Sequence, residues 1–172
     1  MMAHALRSPS VPNGLAELAD EFRRLERLRR SGPPLSAADA ERYRSLFARL
    51  SDALASGKRT RRVDARQFLR VPVAVSIGLR REEERLVVPC HDFGGGGCAI
   101  CPDEPLADGD ELYLDGAVLD GEHHPLGVRA LVVWARLDAR ITYGVRFVCD
   151  RPEERMQVDL FFYRVLDRFL RS

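Results

Sequence analysis

From Val71 onward the chain alternates. Val71, Val73, Val75, Ile77 and Leu79 are separated by Pro72, Ala74, Ser76, Gly78 and Arg80, the period of a strand with one face buried. The same period returns in "RLVVPC", in "CAIC", in "ELYLDG", from Leu126 to Arg136 through Val128, Ala130, Val132 and Trp134, and from Ile141 to Cys149. The joints are short and turn-forming: "RREEE", "ADGD" and "LDAR". Connections this short cannot carry the crossovers of a parallel sheet, so the pattern predicts an antiparallel barrel or sandwich.

Helical periods flank this region. From Gly14 to Arg30 the apolar residues Leu15, Leu18, Phe22, Leu25 and Leu28 recur at steps of three and four, which predicts an amphipathic helix. "SGPPL" breaks it. "SAAD" from Ser36 starts a second helix in the manner of a capping box, with Asp39 in place of glutamate. Tyr43, Leu46, Phe47, Leu50 and Leu54 form its apolar face, and Gly57 stops it. After Pro152 the period is again helical, with Val158, Phe162, Val165 and Phe169 on one stripe and Gln157, Arg164, Arg168 and Arg171 on another. The organisation expected is a loose tail at 1–13, a helical hairpin at 14–57, a basic linker at 58–65, and a β domain with a C-terminal helix at 66–172. The apolar faces of the hairpin exceed what two lone helices can bury on each other, so they need a further partner: the barrel, the C-terminal helix or a second copy of the chain. The near-heptad step from Leu15 to Leu25 makes a homodimer one of these outcomes.

Composition removes several functional classes. Net charge is +1, so no overall field recruits DNA. Without a long apolar run, membrane insertion is not expected. The start "MMAHALRSPSVPNG" has no apolar signal core. A cytoplasmic location is therefore expected, with the four cysteines as thiols.

The stretch "HDFGGGGCAIC", His91 to Cys101, concentrates the chemistry. Four consecutive glycines are costly to order and imply that something passes close to the backbone. "GGGGCA" matches a dinucleotide fingerprint in letters, but Pro102 and Pro105 prevent the helix that must follow. A Walker loop is excluded because the lone Gly-Lys pair, Gly57 and Lys58, would put the motif's first glycine at Asp52. Cys90, His91, Cys98 and Cys101 have the composition of a zinc set. On a strand, however, Cys98 and Cys101 face opposite sides, and Cys90 and Cys149 fall in apolar patterns, so no metal site is expected. His123 and His124 read as surface histidines in a loop. No nucleophile–base or paired-carboxylate grouping stands out, so the chain is not expected to be an enzyme or to need a cofactor.

Two further motifs bear on the glycines. "RQFLRVPV" places Arg66 and Arg70 four apart at the entrance to a strand. "DFGGGG" follows some twenty residues later, and "VVWARLDARITYGVRF" follows that. Together they resemble the PilZ domain family, whose members bind the bacterial second messenger cyclic di-GMP through an RxxxR motif and a (D/N)xSxxG motif. The resemblance spans roughly residues 63 to 150. It implies a six-stranded antiparallel barrel with a C-terminal helix, and a ligand site of Arg66, Arg70, Asp92, Gly94 and Gly97, with Arg61 and Arg62 as additional candidates. Arginine forks suit phosphate oxygens and the O6/N7 edge of guanine, and a carboxylate suits guanine N1–H and its amino group.

Gly94 stands where the family has serine. The missing hydroxyl removes a hydrogen bond worth about 1 kcal/mol, and Gly94→Ser is expected to restore it. Two functions are compatible with these residues. One is a cyclic di-GMP receptor that passes binding to a protein partner. The other is a degenerate PilZ adaptor that binds no nucleotide and acts by protein contact or self-association.

Overall fold

The computed structural model describes residues 14–55 and 68–171. The linker arginines Arg61, Arg62 and Arg66 lie outside them. Among the described residues nine elements follow one another: α1 (Gly14–Ser31), α2 (Ala37–Ala55), β1 (Arg70–Arg81), β2 (Glu84–Gly94), β3 (Gly97–Ile100), β4 (Glu111–Leu119), β5 (Glu122–Leu137), β6 (Ile141–Val148) and α3 (Pro152–Arg171). The strands close into an antiparallel barrel in the order β1-β2-β3-β6-β5-β4. Closure removes the exposed edges that an open sheet would present. The chain separates into two compact units. The barrel and α3 up to Val165 form one, and α1, α2 and the end of α3 from Leu166 form the other.

The barrel interior follows the alternation. Val71, Val75, Ile77 and Leu79 point inward from β1, Leu126, Val128, Ala130 and Val132 from β5, and Tyr143, Val145 and Phe147 from β6. Two positions break the pattern, each at a register shift. A bulge between Pro72 and Val75 leaves Val73 half-buried. Another, between Val132 and Trp134, turns Trp134 out of the interior series and pairs it with Gly144, as an extra residue in a strand must do. α3 completes the core. Phe161 meets Phe93 edge-on at 4.9 Å, Phe93 lies 5.2 Å from Phe147, and Val158 and Phe162 are buried beside them. The helix opens with Pro152 at its first position. The Glu154 carboxylate accepts from the backbone N–H groups of Asp150 and Arg151 at 2.8 and 3.2 Å.

The histidines differ from expectation. Both lie on β5 rather than in a loop, and His124 is buried, its ring 5.5 Å from Phe161. The cause is register: His124 pairs with the inward Ala117, while His123 pairs with Val118. Burial, reinforced by the positive charge of Arg164 and by His123 and partly opposed by Glu122, lowers the pKa of His124.

In the second unit α1 and α2 pack through Phe22, which stacks on Tyr43 at 5.3 Å and touches Phe47, with Leu25, Leu46 and Leu50 fully buried. The start of α2 is capped as its sequence suggests. Asp39 N–H donates to Ser36 Oγ at 3.1 Å, and the Ser36 hydroxyl donates in turn to the Asp39 carboxylate at 2.8 Å. Glu26 is buried. Burial alone would raise its pKa, but bonds from Arg29 and the Tyr43 hydroxyl and the charge of Arg30 outweigh that and hold it low. The end of α3 joins this unit through an ion pair of Arg23 with Asp167 at 3.0 Å.

These shifts fix a pH dependence. The unfolded chain takes up a proton at His124 near pH 6.5, and the folded chain resists it to a lower pH. Stability is expected to fall as pH drops from about 6.5 to 5, above the range where Glu26 and the other depressed carboxylates begin to titrate. Urea midpoints measured across this range should show the decline, and His124→Gln should flatten it.

Candidate functional site

The four glycines are the β2–β3 hairpin. Gly94 pairs with Gly97, and Gly95 and Gly96 form the turn between them. Each constraint here comes from the protein itself. A Cβ on Gly94 would stand 2.6 Å from the Leu69 carbonyl oxygen and 3.1 Å from Arg70 Cγ. One on Gly96 would stand 2.5 Å from the Phe68 ring, and one on Gly97 would run into the Val145 carbonyl. The hairpin is thus wedged between the segment entering β1 on one side and β6 on the other. Phe147 N–H donates to Gly96 O at 2.9 Å, and an Arg155 guanidinium N–H donates to Gly95 O.

β1 brings Arg70 to this hairpin, because its first residue pairs with Gly94. Two residues back along β2, Asp92 accepts from the Arg70 guanidinium at 2.6 Å. Both side chains remain partly open to solvent, at 24% and 34% exposure. Such a pair stabilises the fold by at most about 1 kcal/mol, so it can be exchanged for other partners at little expense. The structure therefore places four of the sequence-predicted residues, Arg70, Asp92, Gly94 and Gly97, side by side. Arg66, Arg61 and Arg62 lie outside the described residues.

Register extends the site beyond the motifs. One row across four strands runs Arg70, Gly94, Gly97, Arg146. The next row on the same face runs Pro72, Asp92, Ala99, Gly144, Trp134. With strands spaced about 4.8 Å, Arg70 and Arg146 stand roughly 14 Å apart along the sheet. Gly94 and Gly97 between them are buried, as are Ala99 and Gly144 in the next row. Trp134, displaced outward by its bulge, lies over Gly144. Sequence reasoning did not identify Arg146, Trp134 or Arg155. Arg146 is an outward residue of β6 with no motif to mark it, Trp134 lies past a bulge of β5 that reverses its face, and Arg155 sits on a helix 60 residues from its hydrogen-bond partner.

Cys90, Cys98 and Cys101 are buried, and Cys90 S–H donates to the Asp92 carbonyl at 3.1 Å. Burial, reinforced by the neighbouring Cys90, pushes the Cys98 thiol well up. Among the described residues no group of three or more His, Cys, Asp or Glu is placed to hold a metal ion, and no helix is long and apolar enough to cross a membrane.

A closed six-stranded barrel with an arginine at the entrance to its first strand and an acidic-glycine hairpin beside it defines the class. Residues 64–164 match the PilZ domain family model, and the chain belongs to that family. A search of curated proteins finds no match. Among solved structures, the Bacillus subtilis inhibitor of motility MotI/DgrA is similar at TM-score 0.50 and 15% identity, over 62% of this chain and 54% of that one. The PilZ domain of CeSA from a cellulose-synthesizing bacterium is similar at TM-score 0.45 and 18% identity, over 56% of this chain and 97% of that one. The PilZ domain of YcgR from Escherichia coli, solved with c-di-GMP, is similar at TM-score 0.45 and 13% identity, over 61% of this chain and 94% of that one. This chain thus spans about half the length of MotI/DgrA. At these identities the likeness is one of fold.

The crowding at Gly94 corrects the expectation for serine. A serine Cβ must displace the Leu69 carbonyl, so its hydroxyl cannot be added without moving the start of β1. Gly94→Ser is expected to destabilise the barrel by about 1–3 kcal/mol, as overpacking does, read as a lower melting temperature. A variant as stable as the parent would show that the Leu69 segment yields freely.

Proposed function

We propose that this protein is a cyclic di-GMP receptor that binds the dinucleotide on the outer face of the barrel and passes binding to a protein partner. The observation that carries this is the Arg70–Asp92 pair beside the glycine hairpin. A guanidinium and a carboxylate, each partly exposed, are held 2.6 Å apart beside the glycine hairpin. The carboxylate can accept from the Watson–Crick edge of guanine. The guanidinium has five donors and gives one to Asp92, with others oriented to meet phosphate or the O6/N7 edge. Arg66 supplies the second fork of the motif. Family membership supports the ligand, and the c-di-GMP complex of YcgR is an instance of it. The chain acts here as a receptor, with no chemical step and no cofactor. The helical unit, through a protein partner or a second copy of the chain, is its outlet.

A second function is kept open by one residue. Gly94 provides no hydroxyl and has no room for one, and an adaptor that binds no nucleotide would have no use for one.

Calorimetry with cyclic di-GMP separates the two. Micromolar or tighter binding is expected, and Arg70→Ala and Asp92→Ala should each weaken it at least about tenfold, the loss of one charge-assisted bond. Their melting temperatures should stay near the parent's, because the pair is partly solvated. Flat wild-type titrations at high ligand concentration would leave the adaptor.

A further inference from the structure

We propose that Arg155 is the positioning residue of the site. From the first turn of α3 it fixes the shape of the glycine hairpin and holds Phe68, two residues ahead of Arg70. For its ligand arm this rests on the cyclic di-GMP function; its structural arm does not.

The Gly95–Gly96 turn has no side chains with which to hold itself, and glycine has the most backbone freedom to lose. Its two carbonyls are held from outside. The one at Gly96 accepts from the β6 backbone at Phe147. The one at Gly95 accepts from Arg155 Nη1. The same guanidinium donates through Nη2 to Cys149 Sγ at 3.2 Å and lies 3.5 Å from Asp159 Oδ1, which braces it against the end of β6 and its own helix. It also sits over the Phe68 ring, 5.8 Å from the ring centre.

Phe68 is the ring that closes on Gly96. It stands midway between Arg66 and Arg70 in sequence. Arg155 therefore touches both segments that the motifs occupy, the glycine turn by a hydrogen bond and the arginine segment by its packing on Phe68. The RxxxR and (D/N)xSxxG motifs assign no task to this helix position. A planar fork is needed because two nitrogens act at once while the face packs on a ring. Lysine can replace one bond but neither the fork nor the stacking.

The test compares Arg155→Met, which keeps an apolar stem over Phe68 but donates nothing, with Arg155→Lys, which keeps one donor. Amide hydrogen exchange on the ligand-free protein is expected to quicken about tenfold or more at Gly95–Gly97 in Arg155→Met. It should change less in Arg155→Lys, and not at all in β4 and β5. Affinity for cyclic di-GMP should fall in the same order, by about tenfold for Arg155→Met. Unchanged exchange at the hairpin in Arg155→Met would overturn the proposal. So would exchange that quickens throughout the barrel in step with a lower melting temperature, since Arg155 would then be general packing. If the wild-type chain binds no cyclic di-GMP, the receptor function fails, and the exchange comparison alone still decides what Arg155 does.

Discussion

The structure depends on how closely the backbone around the β2–β3 hairpin is packed. The Leu69 carbonyl, the Phe68 ring and the Val145 carbonyl each occupy space that a Cβ would need at Gly94, Gly96 and Gly97. Three consequences follow from that crowding. β1 can start directly against the hairpin, which places Arg70 within reach of Asp92. β3 can be only four residues long and still bridge β2 to β6, which closes the barrel. The outward positions of the strip beside the ion pair are glycine and alanine, and they are buried, Gly94 against the Leu69 carbonyl and Gly144 under the Trp134 ring.

The pairing of Arg70 with Asp92 gives the site a resting state in which its two charges neutralise each other. An isolated half-buried arginine would attract any anion, and an isolated aspartate beside it would repel phosphate. Held together, the two charges satisfy each other, and the pair contributes little to stability. A ligand that displaced either partner, as the proposed function requires, would have to offer an acceptor to the guanidinium and a donor to the carboxylate.

Much of this was legible in the sequence, and the gaps have identifiable physical causes. The strands were readable because one face of each is buried and period two survives at Val75, Ile77 and Leu79 and from Leu126 to Val132. The helices were readable from Phe22, Leu25, Leu46 and Leu50, all buried as the three-four step requires. The motif spacing named Arg70, Asp92, Gly94 and Gly97, and strand pairing brings these four side by side. Trp134 was misplaced because a bulge adds one residue, and one residue reverses the face. His124 was taken for a loop residue because the strand begins in "EHHP", a polar run with a proline, and only pairing with β4 shows which histidine turns inward. The glycine run was assigned to ligand approach, whereas its neighbours are the chain's own carbonyls and ring. Such neighbours come from distant segments, which no local pattern encodes.

The same consideration explains why serine is absent at Gly94 without implying that the site has decayed. A hydroxyl there would need a Cβ, and the Cβ position is taken by the Leu69 carbonyl. Moving that carbonyl shifts Leu69, which is buried, and with it the first residue of β1. Glycine at 94 and the tight start of β1 are thus one structural choice. In exchange, Arg70 lies with its Cγ almost against Gly94, closer to the hairpin than a β-substituted neighbour would allow. The departure from the family pattern at residue 94 is therefore accounted for by packing against the Leu69 segment.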